Sequence, residues 1–147
     1  MKRHQLLSKI IEEHNRVIES LQNSVNRYKV ASDLDENDIS DPDDFARQTE
    51  AKDMQLRYEK MLNSERQSHD FVISENDATH SKIEDGALVE TEDQIFFLGI
   101  SLPHFSFDGK EVFCISEDAP IYKKIQQKNV GSKIEMGVNT LEIIAIY

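Results

Sequence analysis

The sequence predicts an α+β protein: a long antiparallel coiled-coil hairpin over residues 1–75, then a small antiparallel-sheet domain with one short helix over residues 76–147. Three observations carry that expectation. An apolar seam repeats at steps of four and three through the first segment. A dense run of acids separates it from a second helix-periodic stretch. Short β-rich runs with turn signals fill the remainder. At 147 residues and 38% hydrophobic content, the chain holds one ordinary domain, or a small domain plus an extended helical element, which excludes a large multidomain enzyme.

Leu7, Ile11, His14, Ile18, Leu21, Val25 and Tyr28 form the seam. No Gly or Pro occurs between Met1 and Ala31, so one helix of about 28 residues and about 42 Å is expected. His14 is the polar member of the seam, a position that sets helix register more often than it binds a ligand. The second helix carries Ala51, Met54, Tyr58 and Met61 on its apolar face. Its start signals are Ser40 or Asp41 as N-cap, Pro42 at the first helical position, and Asp43 and Asp44 in the first turn, where the helix dipole favours anions. Two helices of similar length joined by a short turn should pack antiparallel, with residues 33–44 at the tip.

That tip, DLDENDISDPDD, holds Asp33, Asp35, Glu36, Asp38, Asp41, Asp43 and Asp44 and no base. Residues 1–75 contain 11 Lys plus Arg and 16 Asp plus Glu, so without these seven acids the helices would carry a small net positive charge. The acidity is concentrated at one point, where mutual repulsion costs stability unless something neutralises it. Either the segment is a solvated loop rich in N-caps, or it is a carboxylate site completed by a metal ion or a basic partner.

From Ser74 to Gly86 the helical period disappears, which marks a linker. ALVET, QIFFLGIS, KEVFCIS and TLEIIAIY then read as strands, the third preceded by the two-residue turn signal Asp108-Gly109. In the last run Leu141, Ile143, Ala145 and Tyr147 share one face, as expected of a closing strand. Between the third and fourth runs Asp118 can cap a short helix opened by Pro120, with Gly131 beyond its end. Phe96, Phe97, Phe105, Phe107 and Phe113 are simplest as core. Cys114, the one cysteine, is expected as a buried strand thiol.

No self-contained active site is legible. His4, His14 and His69 lack an HExxH spacing, and His80 and His104 lack neighbours for a metal motif. Ser101, Ser106 and Ser116 have no nucleophile-elbow context, and five glycines form no phosphate loop. A net charge of -11 with pI near 4.8 argues against unaided nucleic-acid binding. The opening residues have no apolar stretch of signal-peptide length before Glu12, and no apolar run reaches about eighteen residues, so a soluble cytoplasmic protein without membrane association is expected.

Two motifs in this order resemble the bacterial Gre transcript-cleavage factors over nearly the whole chain. NDISDPDDF (Asn37 to Phe45) matches the family's tip pattern G-D-L-S-E-N-A-E-Y without a gap, which places Asp38 on the tip aspartate and Asp41 on the tip glutamate. APIYKKIQQKNVGS (Ala119 to Ser132) matches S-P-L-G-x-A-L-x-G-K-x-x-G-D, keeping Pro120, Ile121, Ile125, Lys128 and Gly131. Tyr122 and Gln127 replace glycines, Lys124 replaces a small residue, and Asp41 is one methylene shorter than the family's Glu.

The resemblance implies an FKBP-like fold for the second domain and a monomeric partner of RNA polymerase, without an active site of its own. It implies that the tip enters the secondary channel and stimulates cleavage of backtracked nascent RNA, which is reached only within the elongation complex. Asp38 and Asp41 would be the Mg²⁺ ligands or water-positioning groups, with Asp35, Glu36, Asp43 and Asp44 shaping the field around them. The Mg²⁺ would be shared with the polymerase, and none is expected in the free protein. A channel-binding regulator that does not promote cleavage is the nearest alternative. An FKBP-type isomerase or chaperone is another, against which the absence of Trp counts, and a plain coiled-coil oligomerisation module is a third.

Overall fold

The computed structural model describes residues 2–33 and 41–147 and has the expected α+β class: a long helical region followed by a small mixed-sheet domain. Helices α1 (Lys2–Ser32) and α2 (Pro42–Ser74) are followed by β1 (Leu88–Glu90), β2 (Gln94–Leu98), β3 (Leu102–Phe107) and β4 (Lys110–Ile115). Then come α3 (Pro120–Ile125), β5 (Lys133–Met136), β6 (Asn139–Glu142) and β7 (Ala145–Ile146). Two compact units result, Met1–Glu12 with Asp70–Tyr147, and Glu13–His69. The apolar residues at the start of α1 and the end of α2 (Leu6, Leu7, Ile10 and Val72) are as buried as the strand core. Among the described residues no helix is long and apolar enough to cross a membrane.

Within Glu13–His69, the α1 side of the seam follows the sequence pattern: His14 and Val25 are buried, and Ile18, Leu21 and Tyr28 are half-buried. On α2 the inward positions are Ala51, Gln55, Tyr58, Leu62, Glu65 and His69. Met61, expected on the seam, is 51% exposed, and Leu62 takes its place at 4%. The cross-helix contacts explain the choice. His14 meets Glu65 and His69, Tyr28 stacks on Tyr58 at 5.5 Å, and Ser32 donates to Gln55 Oε1 at 3.0 Å. Partner numbers thus fall along α2 as they rise along α1. Gln48 Nε2 donates to the Ser32 carbonyl at 2.9 Å, which satisfies one of the orphan acceptors at the end of α1.

In the other unit the five-stranded sheet runs β3-β4-β2-β1-β7. The expected all-antiparallel sheet is corrected here, because β2 and β4 pair in parallel, Phe96 opposite Phe113 and Phe97 opposite Cys114. Strand β3 sits at the edge, returns through Asp108 (φ 52) and Gly109 (φ 78), and delivers β4 between itself and β2. Two consecutive left-handed residues match the twist of a two-residue hairpin turn, which is why Asp-Gly marks it. Central β2 is therefore covered on both faces, and Ile95, Phe96, Phe97 and Leu98 are all buried.

One face gathers Ala87, Val89, Phe96, Leu98, Ile115, Ile125, Ile134 and Ile143. On the other, Phe71 from the end of α2 meets Phe97 with ring centroids 6.4 Å apart. Gly99 (φ +116) permits this approach, since a Cβ there would lie 2.8 Å from the Phe71 ring. Of the five expected core phenylalanines only Phe96 and Phe97 are fully buried. Phe105 and Phe107 lie half-buried on edge strand β3, and Phe113 stacks between Phe96 and His104.

Two further expectations change. The closing run is not one strand: β6 pairs with β5, a strand the sequence reading lacked, while β7 pairs with β1. Between them Ile143 is fully buried, its N–H donating to Ser132 O and its carbonyl accepting from Gly131 N. Helix α3 is six residues long, is preceded by Ala119 without a side-chain cap, and has Pro120 at its first position; Asp118 does not cap it. Gln127, at φ 66, turns the chain out of α3 well before Gly131.

Candidate functional site

Of the candidate carboxylates, Asp35, Glu36 and Asp38 lie outside the described residues, whereas Asp41, Asp43 and Asp44 open α2. Asp41 is its N-cap: Oδ1 accepts from the Asp44 backbone N–H at 2.9 Å, and its carbonyl accepts from Phe45 N at 3.4 Å. That resolves the choice between Ser40 and Asp41 and assigns Asp41 a structural role that Ala would lose. Asp43 and Asp44 lie in the first turn, where the partial positive charge of the helix start favours them. The same charge opposes a bare cation, so these residues alone make a poor metal site. Hard carboxylate oxygens at an exposed turn nevertheless suit Mg²⁺ as a donor type, provided other ligands complete the octahedron. Among the described residues no group of three His, Cys, Asp or Glu is arranged to hold a metal. Phe45 is 62% exposed, so it does not pack as a tip aromatic against its own helix pair.

Within Glu13–His69 the two helices carry a polar layer. Fully buried His14 places Nε2 2.6 Å from Glu65 Oε2, and its ring lies 5.6 Å from that of His69. Because Glu65 accepts, Nε2 of His14 carries the proton. His14 Nδ1 and His69 Nε2 are buried without a hydrogen-bond partner among the described residues. A polar layer that pairs only in one alignment of the helices sets register at a cost in stability, in keeping with the role expected of His14.

Sequence reasoning missed a network around Arg3 and Glu90. Arg3 is 6% exposed, and its guanidinium donates to the carbonyls of Ala78 and Gly86, each at 2.7 Å, to the carbonyls of Glu75 and Tyr147, and to Glu75 Oε2 at 3.0 Å. Burial lowers its pKa, with the Glu75 carboxylate acting in the opposite direction. Glu75 also meets His80 Nε2, whose Nδ1 lies 2.7 Å from Glu84. Gly86 (φ +94) is needed there, because a Cβ would collide with the Glu75 carboxylate. Glu90 is 7% exposed and receives Lys2 Nζ at 2.6 Å, Lys110 Nζ at 2.9 Å and Tyr147 OH at 3.1 Å. Burial pushes its carboxyl up, but the hydrogen bonds and charges of the two lysines outweigh that and hold its pKa below the usual value. The partners of Arg3 and of Glu90 are separated from them by 20 to 144 positions in the chain, so no local pattern announces them.

Cys114 is buried on β4 as expected, and burial pushes its thiol up to about 12, which leaves no thiolate nucleophile at neutral pH. Tyr122 is raised to about 12, chiefly by burial and then by donating to Asp85 Oδ1 at 2.7 Å. Neither group is poised for catalysis. Compared with protein-family models, curated proteins and solved structures, the chain matches none.

Proposed function

We propose that this protein is a Gre-like factor: a cytoplasmic, monomeric partner of RNA polymerase whose acidic tip enters the secondary channel and stimulates hydrolysis of backtracked RNA. In this reading α1 and α2 form an antiparallel coiled-coil hairpin and residues 76–147 an FKBP-like domain that docks at the channel rim. The observation that supports it is the order of the cross-helix contacts, which run from His14 against Glu65 to Ser32 against Gln55, as expected of two antiparallel helices. Gln127 adds support. It occupies a left-handed backbone conformation, φ 66, at the point where the family pattern carries glycine.

Asp38 and Asp41 then act inside an active site that belongs to the polymerase. A second Mg²⁺ shared with the polymerase, when bound, activates water for attack on the phosphodiester. Asp38 would supply a carboxylate oxygen to that site, and Asp41 would do so while its Oδ1 remains the cap of α2, which fixes its position relative to the helix. Asp35, Glu36, Asp43 and Asp44 would raise the local negative field that draws the cation in. One observation favours a second reading, a channel-binding regulator that does not promote cleavage: Asp41 already commits one oxygen to the helix start and is shorter than the family's Glu.

Replacing Asp38 and Asp41 together by Asn tests the reading, because Asn keeps the cap but not the charge. The double variant should bind polymerase as wild type does and lose stimulated transcript cleavage by about two orders of magnitude. Unchanged cleavage would sink the two-ligand account. A wild-type protein that binds polymerase yet never stimulates cleavage would establish the second reading.

A further inference from the structure

The domain after the helices has one strongly basic feature, and it is not explained by its own structure. Residues 76–147 contain 12 acids and six bases, and four of those bases, Lys123, Lys124, Lys128 and Lys133, fall in the run from Ala119 to Ile134, which has no acid. They line a cleft of about 730 Å³ between α3 and the β5–β6 hairpin, together with Gln126, Ile134, Thr140 and one acid, Glu135. The domain's other two lysines are paired, Lys82 with Glu84 and Lys110 with Glu90. None of the four in the cleft makes an ion pair among the described residues; Lys124 reaches only the Glu135 carbonyl, at 3.5 Å.

Four lysines against the single carboxylate of Glu135 leave the concavity with a net positive charge, and the remaining repulsion weakens when a complementary surface neutralises it. We propose that this cleft is a docking surface for an acidic segment of a partner protein. A polynucleotide fits less well. No aromatic side chain lines the cleft to stack on bases, and the chain has no Arg after Arg66 to grip phosphates with a planar fork. Lysines are compact, mobile point charges suited to a carboxylate surface that needs steering more than rigid geometry. Val130 and Val138, 58% and 101% exposed in the turns on either side of β5, offer apolar contact for residues flanking the acids. The inference rests on the charge and shape of the cleft and does not depend on the functional reading above.

The test titrates the ¹⁵N-labelled full chain with an acetylated, amidated peptide of about twelve residues, half of them Glu, and separately with a single-stranded oligouridylate of similar length. With the peptide, amide shifts should move at residues 123–135 and binding should weaken at least about tenfold when salt rises from roughly 50 to 300 mM. Lys124→Glu with Lys128→Glu should weaken peptide binding at least about tenfold while leaving the far-ultraviolet circular dichroism unchanged. Milder Lys→Gln changes at the same two positions serve if the charge reversal unfolds the domain. Tighter binding of the oligouridylate through the same lysines would replace the protein partner by a nucleic acid. Shifts elsewhere, or none with either probe, would remove the docking surface altogether.

Discussion

Arg3→Ala should be the most damaging single substitution outside the apolar core. Among the described residues Arg3 alone donates to the carbonyls of Ala78 and Gly86, and it neutralises Glu75 in a site where both side chains are largely shielded from water. Each buried acceptor left unpaired costs about 1–3 kcal/mol. Glu75 keeps one contact, to His80, so its carboxylate is only partly stranded. Together these give a loss of about 3–5 kcal/mol, in the range for removing one partner of a buried pair. In urea the unfolding midpoint of the sheet-containing unit should fall by roughly 2 M, followed by circular dichroism and tyrosine fluorescence. Arg3→Lys separates charge from geometry, because an ammonium retains the attraction to Glu75 but cannot span four carbonyls in a fixed fork. It should recover less than half of the loss. A penalty below about 1 kcal/mol for Arg3→Ala, or full recovery with Lys, would refute the account of Arg3 as a geometric clasp.

Two further outcomes follow from the Glu90 contacts and from the backbone at Gln127. Because the folded Glu90 carboxyl lies below its ordinary value of 4.5, the stability it contributes is present above that value and is lost as pH falls through the folded pKa. Glu90→Gln should therefore lower the urea midpoint at pH 7 and flatten its decline between about pH 5 and pH 2; an unchanged acid limb would show that the Lys2 and Lys110 pairs contribute nothing. At Gln127 the left-handed backbone strains any side chain, so Gln127→Gly should raise stability by about 0.5–1 kcal/mol even after the entropy that glycine adds to the unfolded chain, measured as an increase in thermal midpoint.

The helices, the turn at Asp108-Gly109, the buried Cys114 and the acidic segment were legible in the sequence because each rests on neighbours a few positions apart, through heptad spacing, turn chemistry or charge density. The face that α2 turns inward was not. Ala51, Met54, Tyr58 and Met61 and the observed Ala51, Gln55, Tyr58 and Leu62 are both heptad sets, and the apolar count favours the wrong one. Pairing with α1 decided it, since Ser32 and His14 offer hydrogen bonds that Gln55 and Glu65 meet and the methionines cannot. The parallel β2–β4 pair and the split of the closing run likewise depend on which strand edge is open when the chain returns, a question of topology that alternation along one strand leaves undetermined. Charge composition alone marked residues 33–44 as a place where negative charge accumulates. Only the tertiary structure showed that Asp41 is held by its own helix and that the lysines of the α3 cleft have no carboxylate partner among the described residues, because both facts depend on distances across space and not on order along the chain.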